Sequence, residues 1–154
     1  MRILIGVDGS AYSNAALAEV AQRSWPAGSE IRVVHAYEMP LAPTPEVWVL
    51  PPEYYEQLDR AIRTQSDAIV DAAVGQLRAV LGDGVKIDGR AILGTARGVI
   101  LDEADRWKAD LIVVGSHGYP TWERLLLGSV SQAVVAHANC SVEVVRLQPQ
   151  RAAA

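Results

Sequence analysis

The chain has 154 residues, of which 50% are hydrophobic and 21% charged, and this predicts one globular domain with its own core. A formal net charge of −4 and a pI near 5.3 argue against a nucleic-acid or anionic-membrane partner, because both need clustered lysine and arginine. No apolar run approaches the roughly 20 residues that cross a bilayer, and the amino terminus does not resemble a signal peptide. We therefore expect a cytoplasmic protein without a membrane partner, in which the single Cys140 forms no internal disulfide.

The first third of the chain predicts a strand, a helix and a second strand. Residues 2–8, RILIGVD, form a continuous apolar run that ends in turn residues, as a strand buried on both faces does. Residues 10–25 then place apolar side chains at helical spacing behind Ser10 or Ser13, either of which can cap the helix. The β-branched run EIRVVHAY, residues 30–37, predicts the second strand.

A proline-rich segment and a long helix come next. Residues 38–52 contain five prolines, which exclude a helix or central strand and predict a loop. Residues 53–82 predict a long amphipathic helix, with an inward face made of Leu58, Ile62, Ile69, Ala73, Leu77 and Val80. Two shorter helices are predicted at 96–107, facing inward through Val99, Ile100, Leu101 and Ala104, and at 129–138. Strands are predicted at 85–93, 110–116 and 141–147.

Five strands that alternate with four helices predict right-handed parallel crossovers. The expected fold is an open, doubly wound, five-stranded α/β sheet with helices on both faces. Residues 1–147 should form this single domain, and residues 148–154 a disordered tail. In such sheets a ligand binds beyond the carboxyl ends of the strands, where the strand order reverses.

A glycine-rich stretch follows the fourth predicted strand, GSHGYPTWERLLLGSVS at residues 115–131. Glycines allow a backbone to approach an anion closely, and a helix start offers N–H groups without intrahelical partners. The stretch therefore predicts a phosphate cradle made of Gly115, Gly118, Gly128, Ser129 and Ser131. The cradle contains no lysine and is not a G-x-x-x-x-G-K-[ST] loop, and no G-x-G-x-x-G opens the first helix.

These residues carry a resemblance to a known family. The sequence G-S-H-G, followed after nine residues by G-S-V-S, resembles the G-x2-G-x9-G-[ST] signature of the ATP-binding branch of the universal stress protein family. The opening ILIGVDGS and the closing CSVEVVRL resemble the two ends of that family. The resemblance implies a Rossmann-like sheet of the adenine nucleotide alpha hydrolase type, with strand order 3-2-1-4-5. It also implies a homodimer joined through the fifth strand, Val142–Leu147, which would otherwise be an open edge.

The resemblance further implies an ATP site, position by position. Asp8 matches the aspartate that contacts the nucleoside, and Ala36 the backbone position that reads the adenine edge. The remaining implied contacts lie beside the nucleoside or along the phosphates, and comprise Gly6, Val7, Val114, Gly115, Gly118, Gly128, Ser129, Val130 and Ser131. With ATP we expect Mg²⁺ held by the phosphates, and we predict no protein metal ligand and no catalytic residue.

Several simpler interpretations of the same residues stay open. Asp8 could cap the first helix as well as face a ligand, and the glycines could form turns with a helix cap. Arg97 or Arg124 could pair with a phosphate or be ordinary surface charges. The spread of the three histidines does not predict a metal site, and Ser116 lacks the G-x-S-x-G elbow of a hydrolase.

Three functional hypotheses remain. The first is a regulatory module that retains ATP and hydrolyses it slowly at most, because rapid phosphoryl transfer needs cations around the γ-phosphate. The second is an enzyme on the same sheet, either an ATPase or a nucleotidyl transferase. In the third, the cradle takes AMP, a cyclic nucleotide or nothing, and the protein acts as a dimeric interaction partner.

Overall fold

The computed structural model describes residues 1–39, 51–117 and 127–147. Within these ranges five strands lie at Arg2–Gly6 (β1), Glu30–Tyr37 (β2), Lys86–Leu93 (β3), Leu111–Gly115 (β4) and Ser141–Val145 (β5). The α-helices of the same ranges lie at Ala11–Ala21 (α1), Pro52–Leu81 (α2), Ala96–Trp107 (α3) and Ser129–His137 (α4), and a 3-10 turn at Gly82–Gly84 follows α2. Most of the predicted loop and the whole predicted tail lie outside the described residues. None of the described helices is both long and apolar enough to cross a bilayer.

The five strands form one parallel sheet in the order β3-β2-β1-β4-β5. The predicted fold class and strand order are therefore confirmed. In the centre of the sheet, Ile5 of β1 pairs with Val33 of β2 on one side and with Val113 of β4 on the other. The strand order reverses between β1 and β4, so a crevice for a ligand is expected beyond the carboxyl ends of these two strands.

Each face of the sheet carries a separate hydrophobic core. On one face, α1 and α2 pack through Leu17 and Leu77 against Ile5 and Val33. On the other, α3 and α4 pack against strand residues that alternate with these, including Leu4, Val34 and Ile112. Because both faces are covered, β4 and the part of β1 after Arg2 contain no polar side chain, which explains their continuous hydrophobic runs.

The predicted inward faces of two helices are partly wrong. On α2, Val70 and Val74 are buried, whereas Val80 is 64% exposed. This helix of 30 residues is about 45 Å long, while a strand of eight residues spans only about 26 Å, so the ends of α2 extend beyond the sheet. On α3, Leu101 is only partly buried and Glu103 is 1% exposed, because a charged partner on the sheet lies beneath it.

Several predicted boundaries also shift. Helix α1 is capped by Ser10, which accepts a hydrogen bond from the N–H of Ser13 at 3.2 Å. It ends at Ala21, after which the indole N–H of Trp25 donates to the carbonyl of Val20 at 3.0 Å. Strand β5 ends at Val145, two residues before the predicted limit.

The charged partner beneath α3 belongs to a group that we call the Arg32 cluster, composed of Arg32, Asp88, Glu103, Arg106 and Trp107. Arg32 of β2 donates two hydrogen bonds to Asp88 of β3, at 2.7 and 2.6 Å, and a third to Glu103 at 2.9 Å. Arg106 donates to the other oxygen of Glu103 at 2.7 Å, and the Arg32 guanidinium lies 4.5 Å from the centre of the Trp107 ring. Hydrogen bonds from Arg32 lower the pKa of Asp88, although its partial burial acts in the opposite direction.

Candidate functional site

A cleft of ≈ 340 Å³ opens at the carboxyl edge of the sheet, between the first turns of α3 and α4. Ten of the eleven predicted site residues line it, namely Gly6, Val7, Asp8, Ala36, Val114, Gly115, Gly128, Ser129, Val130 and Ser131. The eleventh, Gly118, lies outside the described residues. The sequence therefore identified a set of positions, far apart along the chain, that the fold brings to one place.

Five further residues line the cleft and were not predicted as site residues, namely Ser13, Val34, Ala96, Ile100 and His117. Three of them could have been recognised from their spacing in the sequence. Val34 lies two positions before Ala36, so the alternation of side chains along β2 places both on one face of the sheet. Ala96 and Ile100 are one helical turn apart and share a face of α3. The apolar wall of the cleft could therefore have been predicted once Ala36 was assigned.

The end of β1 forms the floor of the cleft. A Cβ atom on Gly6 would lie 2.8 Å from Cδ1 of Ile100 and 3.3 Å from Cγ1 of Val114. Glycine at this position lets α3 approach the strand closely. Beyond it, the carboxylate of Asp8 accepts a hydrogen bond from the N–H of Ser10 at 2.9 Å. Asp8 thus supports the start of α1 while it lines the cleft, so its structural role is compatible with a ligand contact.

The carboxyl end of β4 is also in close contact with the first turn of α1. A Cβ atom on Gly115 would lie 2.7 Å from the backbone carbon of Tyr12 and 2.8 Å from its oxygen. No rotation of a side chain can relieve a contact with a backbone, so this position requires glycine. The glycine brings the first turn of α1 against the carboxyl end of β4, at the rim of the cleft.

Hydrogen bonds tie the start of α4 to the end of β4. The N–H of Gly128 donates to the carbonyl of Ser116 at 2.7 Å. The hydroxyl of Ser131 lies 3.0 Å from that carbonyl and 2.9 Å from the carbonyl of Gly128. Its single proton is engaged within the protein, so the donor that Ser131 can offer a ligand is its backbone N–H.

The first turn of α4 faces the cleft with its backbone donors. Gly128 is the N-cap and provides no side-chain capping bond, and the first turn contains no acidic residue. The first intrahelical bond runs from the N–H of Gln132 to the carbonyl of Gly128 at 2.9 Å. The N–H groups of Ser129, Val130 and Ser131 precede that bond and have no intrahelical partner. A helix start of this kind binds anions.

The three histidines occupy separate environments. Nδ1 of His35 lies 2.8 Å from the carbonyl of Val7, so it carries the proton of that hydrogen bond. Nδ1 of His117 lies 3.1 Å from Oγ of Ser116, and His137 lies on the exposed end of α4. Within the described ranges, no group of three or more His, Cys, Asp or Glu residues is arranged to hold a metal ion.

The described wall of the cleft contains few side-chain charges. Among the described residues that line it, Asp8 and His117 are the only ones whose side chains can carry a charge, and none is lysine or arginine. Arg97 is exposed and lines an adjoining groove together with Glu38. Any positive potential at the described cleft wall therefore comes mainly from backbone donors.

Comparison of the sequence with known protein families identifies the family of this chain. The sequence model of the universal stress protein family matches residues 1–146. The chain belongs to the universal stress protein family. A Thermus aquaticus relative, the universal stress protein in the QAH/OAS sulfhydrylase 3′ region, is 34% identical over 149 residues, which cover 94% of this chain and 97% of the relative. The structure of universal stress protein UspA from Lactobacillus plantarum matches with a TM-score of 0.72 at 27% identity, over 95% of this chain and 97% of that one.

Other solved universal stress proteins hold adenine nucleotides. A family member from Arabidopsis thaliana with AMP bound has a TM-score of 0.69 at 18% identity, and the match covers 98% of this chain and 97% of that one. A universal stress protein in complex with cAMP has a TM-score of 0.62 at 24% identity, over 95% and 96% of the two chains. The Archaeoglobus fulgidus protein in complex with dAMP has a TM-score of 0.59 at 22% identity, over 94% and 96%. At these identities the likeness establishes a shared fold.

Proposed function

We propose that this universal stress protein binds ATP at the carboxyl-edge cleft and acts as a dimeric, nucleotide-dependent regulatory module in a stress response. The observation that carries the proposal is the first turn of α4, which lines the cleft, has no side-chain cap and offers N–H groups without intrahelical partners. The nucleotides held by structural neighbours support the same ligand class. ATP is a cytoplasmic metabolite, so a cytoplasmic location is part of the proposal.

The two halves of the cleft match the two halves of a nucleotide. The adenine half is apolar, with walls formed by Val34, Ala36, Ile100, Val114 and Val130. A cleft of ≈ 340 Å³ lies within the range of about 300–1,000 Å³ that small-molecule sites occupy. In this proposal the backbone of Ala36 reads the adenine edge, and the Asp8 carboxylate contacts the ribose.

The phosphate half consists of backbone donors. The N–H groups of Ser129, Val130 and Ser131 would hold the phosphate oxygens, with Gly115 and Gly118 along the ribose and phosphate path. A Cβ atom on Gly128 would lie 3.2 Å from both the Ser116 oxygen and Cα of His117, so this glycine keeps the start of the helix close to the end of β4. Mg²⁺ would be held by the phosphates and would neutralise part of their charge.

The same arrangement favours retention over rapid turnover. Fast phosphoryl transfer depends on cations positioned around the γ-phosphate and on a group that orients the attacking water. None of the described residues that line the cleft is lysine or arginine. We therefore expect hydrolysis to be slow at most. An ATPase or a nucleotidyl transferase on the same fold is the enzymatic alternative, and AMP or a cyclic nucleotide is the alternative ligand.

The dimer is proposed through β5, along Val142–Leu147. Among the residues that the structure describes, this strand pairs only with β4, and an unpaired strand edge is a surface for another strand. Glu143 of this strand is partly buried, and Arg23 donates to both of its oxygens at 2.6 Å. Next to the edge, Val135 is 51% exposed and Leu147 is 43% exposed, so apolar surface flanks the strand.

Mass spectrometry of the ligand released from freshly purified protein tests the proposal. We expect ATP, while release of AMP or a cyclic nucleotide would identify the alternative ligand. Phosphate release well above background would support an ATPase, and pyrophosphate release with a candidate acid or amine would support nucleotidyl transfer. Gly128→Val should abolish retention. Gly75→Ala serves as the matched control, because a Cβ atom on Gly75 meets nothing within 4 Å, and unchanged ATP affinity in Gly128→Val would refute the cradle.

Sedimentation velocity tests the dimer. The double variant Val135→Glu, Leu147→Glu places charges at the flanks of β5 without altering the monomer core, and we expect it to sediment as a monomer. Val80→Glu, at another exposed valine, should remain dimeric. A wild-type protein that sediments as a monomer at high micromolar concentration contradicts the dimer and leaves the nucleotide site unaffected.

A further inference from the structure

We propose that His117 supplies a titratable positive charge to the phosphate half of the cleft, so that binding of a phosphorylated nucleotide is coupled to uptake of a proton. The inference rests on the proposed nucleotide function. Among the described residues that line the cleft, His117 is the only one that can become a cation. Histidine is also the side chain whose charge ordinarily changes between about pH 5 and 8.

The fold holds the His117 ring in place from two sides. Its Nδ1 atom lies 3.1 Å from Oγ of Ser116, a residue that is only 2% exposed. Its ring centre lies 5.1 Å from that of Tyr12, with the two planes tilted by 50°. The backbone of Tyr12 packs closely against Gly115, where a Cβ atom would not fit. The ring is therefore pre-positioned, which lowers the entropic cost of a contact with a ligand.

The second ring nitrogen is the one available to a ligand. Within the described part of the chain, Nε2 of His117 has no hydrogen-bond partner. When the ring is protonated, both nitrogens become donors. Nδ1–H then donates to Oγ of Ser116, and Nε2–H can donate to a phosphate oxygen. A hydrogen bond between two charged groups of this kind is about twice as strong as a neutral one.

Charged groups face the ring from two elements. From the end of β1, the carboxylate of Asp8 lines the same cleft. The start of α4 adds the partial positive charge of a helix amino terminus. From α1 the ring meets the phenol of Tyr12, and α3 contributes Ala96 and Ile100. A bound phosphate adds negative charge beside these groups, and negative charge favours the protonated form of a histidine.

Three other charged or titratable side chains near the cleft do not provide a cation to the phosphate. His35 is engaged at the carbonyl of Val7. Arg97 and Glu38 line the adjoining groove, where they offset each other in charge. The sign of the linkage follows from His117, since a complex that holds an extra proton is favoured at low pH and weakens as the pH rises through neutrality.

The test compares ATP binding by the wild type and by His117→Gln, measured by titration calorimetry at about pH 6 and about pH 8.5. Because the phosphates of ATP titrate near pH 6 as well, the informative quantity is the ratio of the two affinities at each pH, in which the ligand's own protonation cancels. We expect the wild type to bind about tenfold more tightly at the lower pH, and within about twofold at the higher pH. Adenosine, which has no phosphate, should give a ratio near one at both.

Matched variants separate charge from structure. His117→Lys carries a charge at both pH values and should retain tight ATP binding at the higher pH. His137→Gln, at the exposed end of α4, should behave as the wild type. Tyr12→Leu keeps His117 but removes the ring contact, and we expect it to reduce the wild-type advantage at low pH, since Tyr12 is a positioning residue.

A second readout uses the proton itself. Binding enthalpies of ATP to the wild type and to His117→Gln, measured in two buffers of different ionisation enthalpy, should show that the wild type takes up more protons near neutral pH. An affinity ratio that is the same at both pH values, with ATP bound, overturns this inference alone. Absence of ATP binding at either pH, with the protein folded, overturns the proposed nucleotide function and this inference with it.

Discussion

Helix α3 borders two polar regions of different design. At its amino end, Ala96 and Ile100 form a wall of the cleft, where most of the donors are backbone N–H groups. At its carboxyl end, α3 contributes Glu103, Arg106 and Trp107 to the Arg32 cluster. The cluster holds more formal charge than the cleft wall does, yet its buried carboxylate and guanidinium are bonded to each other. Because these charged groups already pair with one another, they have little hydrogen-bonding capacity left for a ligand.

The difference between the cleft and the Arg32 cluster shows which polar groups indicate a binding site. In the described residues, every buried side-chain nitrogen and oxygen atom has a hydrogen-bond partner, so the buried side chains give no sign of a missing ligand. The sign comes from the backbone, at the uncapped start of α4. Perturbed ionisation, as at Asp88, accompanies structural ion pairs as well as functional sites. In this protein it indicates the structural region.

The largest expected effect breaks the Arg32 cluster. Glu103→Ala leaves the buried Arg32 guanidinium with one partner fewer and creates a cavity, and we expect a loss of about 3–5 kcal/mol in the free energy of unfolding. Urea denaturation measures it. The double variant Arg32→Met, Glu103→Leu should recover much of this loss, because well-packed apolar groups can replace a buried pair. A loss below about 1 kcal/mol in Glu103→Ala would show that the pair behaves as a surface ion pair.

The opposite end of α3 is tested through Gly115. Gly115→Ala forces a Cβ atom against the backbone of Tyr12, and overpacking of this kind costs about 2 kcal/mol. Because the displaced turn borders the cleft, we also expect ATP affinity to fall at least about tenfold. Calorimetry measures the affinity, and Glu103→Ala supplies the comparison, since its ATP affinity should remain unchanged while the protein is folded. Equal losses of affinity in both variants would mean that the two ends of α3 are not independent.

An intermediate effect concerns acid stability. Because hydrogen bonds from Arg32 lower the pKa of Asp88 in the folded state, the carboxylate contributes stability above its unfolded pKa. That contribution is lost as the pH falls through the folded pKa. The wild type should therefore lose unfolding free energy on acidification from about pH 6 to about pH 3, and Asp88→Asn should lose less over the same interval. Denaturation curves at several pH values measure how the free energy of unfolding of each protein changes with pH. Equal changes in the two proteins would show that Asp88 does not contribute to acid sensitivity.

The smallest expected effect is that of Arg97→Gln. Arg97 is exposed beside the cleft, so its attraction for phosphates is screened by solvent and salt. We expect ATP affinity to change by about twofold or less. A loss of about tenfold, the size expected of a direct charge-assisted contact, would make Arg97 a phosphate ligand and reduce the part played by the backbone.

Much of the fold could be predicted from the sequence, whereas the burial of particular residues could not. The apolar strands and the glycines at their ends fixed the sheet and located the cleft, because hydrophobic periodicity and glycine placement are local signals. The burial of Glu103 was not predictable in this way, since helical periodicity marks a glutamate as exposed and only the pairing with Arg32 across the fold reverses that. Val80 was assigned to the core because periodicity does not reveal where a sheet ends.

The site shows the same limit. The roles of Asp8 and Ala36 follow from the family resemblance, Gly128 is predicted from the glycine-rich stretch itself, and the structure places all three at one cleft. His117 lies within the quoted glycine stretch but was considered only as a metal ligand. Its position depends on Tyr12, which is far away in sequence and reaches it only because α1 packs against the end of β4. Contacts between distant segments of this kind are not encoded in a local pattern.

The contact between α2 and β3 constrains how this protein can diverge. Gly89 has no side chain because a Cβ atom there would meet Cγ1 of Val70 and, at 2.8 Å, Cγ2 of Val74. The helix consequently rests directly on the strand backbone. A larger residue can replace Gly89 only if smaller residues replace Val70 and Val74 at the same time. We expect these three positions to covary among orthologues, so that one small residue on the strand is exchanged for small residues on the helix.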